Sequence, residues 1–317
     1  MTLNATQAAA IDSYTSLGGS TDTLTLFDTG TYNFVGKFAS GMETITLGAN
    51  GMYDIALAQS TATALDATAV TTQSNTLTIN SATTGTLNIT GLQANLTATN
   101  AAAALNITLV DATSDAVTVA AGTGNLSFSG GNAGDTVTVT GLNGASQTLS
   151  STAASKFDIT AGAGAQTITM GAGNDTIVGG AGADVINVGA GTDTIKMTGT
   201  GQSFAGASIT SGITALTGID KVTGMAAGDI VDLSGILNTF TGGAGNTIAA
   251  ATDTTVSLVR GNFVDATSVF TADATGTATL VVYDADGAGL GTALEAILLV
   301  GTAGVTGNVA AGVLTLA

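Results

Sequence analysis

Asp175, Asp184 and Asp193 recur at nine-residue intervals in the stretch MGAGNDTIVGGAGADVINVGAGTDTIK, residues 170–196. Each stands sixth in its nonapeptide, and glycine stands second and fourth: Gly171 and Gly173, Gly180 and Gly182, Gly189 and Gly191. Glycine permits the positive φ angles of a tight loop whose carbonyl oxygens converge. A hard cation such as Ca²⁺ takes six to eight oxygens, and carboxylates set among such carbonyls supply them. The metal-free alternative is ordinary turn chemistry, because Asp also caps bends and tolerates strained dihedrals.

The same register runs one unit upstream, residues 161–169, where Gln166 replaces the carboxylate. The eighth positions are Ile168, Ile177, Ile186 and Ile195, one apolar residue per unit. A further trace of the register, GGNAGDTVT, places Asp135 sixth; the residues 18 away from it are Val117 and Ala153, which favours a simple turn. Near the C-terminus DADGAGLGTALE has part of a calcium-loop spacing, with Asp284 first, Asp286 third, Gly289 sixth and Glu295 twelfth. Ala288 holds the fifth position, where a helix-loop-helix calcium loop needs an oxygen, and a solvated acidic turn between two strands is the competing reading.

These loops need short, stackable elements to hold them. Alternating runs such as TLTLF, METITL, NTLTIN, LNITLV, DTVTVT, DTIV and DVIN recur along the chain, separated by Gly, Asn, Ala or Ser, and each reads as a strand. Their spacing is too short for crossover helices. A parallel β-solenoid fits, with each turn stacked about 4.8 Å from the last and its inward residues forming a ladder. A β-sandwich shares the alternation, but the short period and the scarcity of Asn-Gly hairpin pairs favour the solenoid. Residues 5–17, ATQAAAIDSYTSL, form the best helical candidate, ended by Gly18 and Gly19. With aromatics at 4% of 317 residues, the core is expected to be thin and repetitive rather than built around rings.

Composition removes several classes of function. The chain has no His and no Cys, so zinc hydrolysis and His-based triads have no residues to use, and no enzymatic activity is expected. Five Lys plus Arg against 22 Asp plus Glu, net −17, disfavours nucleic acid and anionic membrane surfaces and favours divalent cations. No apolar run suits a membrane span. The start MTLNATQAAAIDSY lacks the basic and apolar regions of a secretory leader, so any export address is expected elsewhere.

The nonapeptides resemble the calcium-binding RTX repeat, G-G-x-G-x-D-x-U-x, of proteins exported by bacterial type I secretion. The resemblance implies an all-β, parallel β-roll in which two nonapeptides make one turn and Ca²⁺ sits between loops on the same edge of successive turns. On that geometry Asp175 and Asp193 share an edge. Asp184 lies on the other, where the residues 18 away are Gln166 and Gln202, so its ligation is expected to be incomplete. Residues 219–236, IDKVTGMAAGDIVDLSGI, resemble the segment that closes the roll in such proteins. The C-terminal LVVYDADGAGLGTALEAILLVGT resembles their uncleaved secretion signal.

The expected organisation is an N-terminal cap or assembly region (1–60), a strand-repeat solenoid (61–160), the calcium roll (161–200) and a C-terminal β region carrying the secretion signal (201–317). The resemblance implies a secreted protein at the surface of a Gram-negative bacterium, with Ca²⁺ as its cofactor. With open solenoid ends and a composition that is all scaffold, the expected partner is the chain itself, in a surface layer or filament, with cell-surface polysaccharide as a further partner. The alternative is an adhesin or other binding module. Ice binding is its weaker form, since the pairs Thr76/Thr78, Thr97/Thr99, Thr136/Thr138 and Thr167/Thr169 are unevenly spaced.

Overall fold

The structure is a computed structural model. It describes residues 2–10, 22–34, 44–57, 64–72, 75–81, 86–99, 104–110, 115–198, 213–216, 218–234, 243–244, 256–284, 294–302, 309–310 and 312–316. They fall into two units, Met1–Asp158 and Ile159–Ala317.

In the first unit the alternating runs become strands of two parallel ladders. One runs from Thr2–Leu3 through Thr23–Leu26, Thr44–Leu47, Ala64–Asp66, Thr86–Leu92, Ala104–Leu109 and Leu126–Gly130 to Thr148–Ser151. The other runs from Gly30–Asn33 through Tyr53–Leu57, Thr76–Ser81, Asn95–Thr99 and Ala116–Ala120 to Thr136–Leu142. Because the chain alternates between ladders, each turn gives a strand to each, which makes a parallel β-solenoid. The inward residues of successive turns stack: Leu24, Ile45, Leu65, Ile89, Ile107 and Phe128 lie in one row and are all buried. Each such burial contributes about 1.5–3 kcal/mol.

Among the described residues most aromatic side chains are buried, Phe27 being exposed. Tyr32 stacks with Phe34 and Tyr53, ring centroids 6.0 and 6.3 Å apart, and Phe128 meets Phe157 edge-on at 5.2 Å. Rings therefore do build part of this core, contrary to the expectation from composition.

Turn length varies while the parallel pairing persists, with one register shift, between Thr108 and Leu109. Leu65 pairs with Ile89 and Ile89 with Ile107, turns of 24 and 18 residues, and the loops absorb the difference. Thr78 consequently lies beside Thr97, and Thr118 beside Thr138. Thr97, however, pairs with Ala120 and Thr78 with Asp54, so the Thr pairs form no unbroken outward row, in keeping with their uneven spacing.

The N-terminal helix spans Ala5–Ala10; the rest of the expected 5–17 run lies outside the described residues. Asn4 Oδ1 accepts the Gln7 amide at 2.7 Å and Gln7 Oε1 accepts the Asn4 amide at 2.9 Å, a reciprocal cap that fixes the helix start.

In the second unit the nonapeptides supply both ladders. Ile168 pairs with Ile186 and Ile186 with Val222; opposite them Ile177 pairs with Ile195 and Ile195 with Val231. The segment expected to close the roll supplies its last rung, through strands Asp220–Thr223 and Ile230–Asp232. That rung is covered in turn: Leu294–Val300 pairs parallel with the first strand and Val313–Thr315 antiparallel with the second. Beyond Leu294–Val300 the sheet becomes antiparallel, through Ala278–Asp284, Ser257–Val264 and Val269–Ala272. One of its faces packs a core of Val259, Phe270, Leu280, Val282, Ala296 and Leu298. Among the described residues no helix is long and apolar enough to cross a membrane.

Candidate metal centre

Each loop of the roll hands its carboxylate to the turn before it. Asp193 Oδ1 accepts the Asp175 amide at 2.8 Å, and Asp184 Oδ1 accepts the Gln166 amide at 2.7 Å. The pattern continues past the nonapeptides, where Asp229 Oδ1 accepts the Asp193 amide at 2.8 Å and Asp220 Oδ1 accepts the Asp184 amide at 2.9 Å, each across 36 residues. One edge therefore reads Asp175, Asp193, Asp229 and the other Gln166, Asp184, Asp220. This corrects the expected partner of Asp184: the neighbour is Asp220, not Gln202, because this turn of the chain is 36 residues long rather than 18. Asp220 and Asp229 had not been singled out, although both fall on whole multiples of the nine-residue step.

The second carboxylate oxygens are what make this a candidate cation site. Asp184 Oδ2 and Asp193 Oδ2 are buried and accept no hydrogen bond. Neither residue forms an ion pair; the pairs among the described residues are Lys156 with Asp158 at 3.1 Å and Lys221 with Asp265 at 2.9 Å. Burial pushes the Asp184 carboxyl up to about 6, against the lowering effect of the Gln166 amide. Burial, aided by the Asp229 charge, pushes Asp193 up to about 6 as well. A buried anion without a partner is costly, and a divalent cation removes that cost.

The glycines make the room. Gly180 and Gly182 have φ of +86° and +139°, and Gly189 and Gly191 of +87° and +147°. A Cβ on any of the four would run into a carbonyl oxygen of the loop one turn earlier: Gly162, Gly164, Gly171 and Gly173 respectively. Side chains are thus excluded where the carbonyls of one loop point at the glycines of the next turn. Among the described residues no three acidic side chains cluster, so further oxygens for a cation would be backbone carbonyls. The residues fit calcium: Asp175, Asp184 and Asp193 would hold it, with the carbonyls of the Gly171/Gly173, Gly180/Gly182 and Gly189/Gly191 loops.

Asp135 is a turn residue, as its surroundings in the sequence had suggested. Its Oδ2 accepts the Asn132 amide at 2.7 Å and its Oδ1 the Asp115 amide at 2.9 Å. Its neighbour one turn earlier is Asp115 rather than Val117, since this turn takes 20 residues. In the C-terminal region Asp284 ends strand Ala278–Asp284, paired with Leu294, while Asp286 lies outside the described residues. Glu295 sits within the facing strand, buried, and accepts the Tyr283 hydroxyl at 3.2 Å. The flanks of this segment are strands, not the helices of a helix-loop-helix calcium site.

Residues 160–195 match the RTX calcium-binding nonapeptide repeat, in four copies. The chain therefore carries RTX repeats in a parallel β-roll, and repeats of this kind bind calcium. No curated protein matches the chain.

Proposed function

We propose that this is a secreted, calcium-dependent structural protein that folds outside the cell and assembles with copies of itself into a surface layer or filament. The observation that carries the calcium dependence is the pair of buried, unpartnered oxygens on Asp184 and Asp193, set in glycine loops that match RTX repeats. In a cytosol poor in calcium these loops lack the ion that offsets the entropy of ordering them; extracellular calcium supplies it. Type I export through a C-terminal signal, a Gram-negative cell surface and attachment to surface polysaccharide belong to the same reading. So does a non-enzymatic role, which rests on a chain without His or Cys.

The covered rung changes how assembly works. With Leu294–Val300 and Val313–Thr315 paired onto the last rung of the roll, assembly on this reading uses a surface other than that rung. The test mixes purified chain with calcium, with magnesium at equal ionic strength, or with chelator, followed by light scattering and electron microscopy. Ordered assemblies are expected in calcium only, because magnesium keeps its waters and demands shorter octahedral ligation. Equal assembly in chelator refutes the calcium dependence; a calcium-folded chain that stays monomeric at high concentration replaces this reading with the adhesin one.

A further inference from the structure

Two kinds of acidic corner occur in this chain, and they differ in where one amide points. At Asp184 and Asp193 the amide three residues earlier, on Ala181 and Ala190, donates to a glycine carbonyl of the preceding turn, Gly162 and Gly171, at 2.8 Å in each case. The carboxylate is left with Oδ2 unpartnered. At Asp135 and Asp229 the amide three residues earlier, on Asn132 and Ala226, turns to the residue's own Oδ2, at 2.7 Å in each case. Their Oδ1 atoms accept the Asp115 and Asp193 amides, so both oxygens of each are engaged.

A third corner is closed by a side-chain amide. Gln147 is buried; its Oε1 accepts the Gly144 amide at 3.1 Å, and its Nε2 donates to the Gly122 carbonyl at 3.1 Å and to the Gly124 carbonyl. Two glycine-loop carbonyls thus converge on one electropositive group, the arrangement that a cation otherwise completes.

We infer that calcium acts only on corners of the Asp184 and Asp193 kind, while Asp135, Gln147 and Asp229 are metal-free corners, the Gln147 amide taking the place of a cation. The inference rests on the calcium reading above. It makes the calcium-dependent segment a bounded one, preceded in sequence by corners that close without metal and followed by another at Asp229. Register with the nonapeptides does not by itself make an Asp a ligand: Asp229 keeps the register and loses the role.

The experiment uses the full chain, calcium alone as the probe, calorimetric titration for the number of bound ions, and circular dichroism melting in calcium and in chelator. Asp193→Asn should bind fewer calcium ions than the wild type, and Asp229→Asn should bind the wild-type number. Asp135→Asn, in the other unit, should also keep that number and lower its melting temperature equally in calcium and in chelator. Gln147→Glu puts a carboxylate against the two carbonyls; it should melt lower in chelator, recover in calcium and bind an additional ion. Loss of a bound ion in Asp229→Asn or Asp135→Asn overturns the inference, as does a Gln147→Glu chain equally destabilised in both conditions. A wild-type chain that binds no calcium overturns the calcium reading and this inference together.

Discussion

Acid should stabilise the calcium-free roll and destabilise the calcium-loaded one. Asp184 and Asp193 have folded-state carboxyls raised from an ordinary value near 3.8 to about 6. A group raised on folding contributes its full stability below the unfolded value, where both states are protonated, and loses it as pH climbs through the folded value. Without metal, the roll should therefore weaken between about pH 4 and pH 7. A rise of this size corresponds to about 3 kcal/mol per group at full weight. Discounted for solvent screening, about 2–4 kcal/mol for the two together is the expected loss. In a unit of this size each kcal/mol shifts the melting temperature by about 2–4 °C. With calcium at 100 times its dissociation constant the slope reverses, since each site then adds about 2.7 kcal/mol that requires an ionised carboxylate. Circular dichroism melting at pH 5 and pH 7.5, with calcium-depleted and calcium-saturated chain, reads both slopes. Acidification also relieves repulsion across a chain of net charge −17, so an Asp184→Asn, Asp193→Asn double variant serves as control and should flatten both slopes. Slopes of the same sign with and without calcium, or a control as steep as the wild type, would refute the reasoning.

Gly191→Ala should destabilise the roll by at least about 2 kcal/mol, because φ is +147° and the new Cβ meets the Gly173 carbonyl; Gly218→Ala, at +81° with open space around it, should cost only about 1–2 kcal/mol of backbone strain. Comparing the two by calcium-induced folding measures crowding apart from dihedral strain. Asp220→Ala removes the acceptor of the buried Asp184 amide and should cost about 1–3 kcal/mol in urea denaturation, a loss that a partnership of Asp184 with Gln202 would not produce. Phe128→Ala opens a cavity beside Phe157 in the first unit and should cost about 3–5 kcal/mol in both calcium and chelator.

Much of the architecture was legible because side-chain periodicity and strand pairing follow from the same pleat. The inward rows through Ile168 and Ile186, and through Ile177 and Ile195, stand where the nonapeptide register places them. The error over Asp184 has a physical origin: backbone pairing constrains the strands, but nothing constrains loop length between them, so a fixed 18-residue step fails wherever a loop lengthens. The 36-residue intervals to Asp220 and Asp229 were readable as multiples of the repeat, and that signal was available. The difference between Asp193 and Asp229 was not. It depends on whether the Ala190 or Ala226 amide points outward to a stacked loop or back to its own carboxylate, a matter of local dihedral angles that residue identity leaves open.

The long turn between Ile186 and Val222 also describes a tolerance. The chain there takes twice the usual length, yet Ile186 still meets Val222 and Asn187 still meets Thr223 in unbroken parallel register. Loop-closure entropy grows only with the logarithm of length, so a doubling costs about 0.6 kcal/mol, less than one buried isoleucine contributes. Added length between these two strands is therefore expected to leave the pairing of Ile186 with Val222 intact, because the ladder and not the length of intervening chain fixes it.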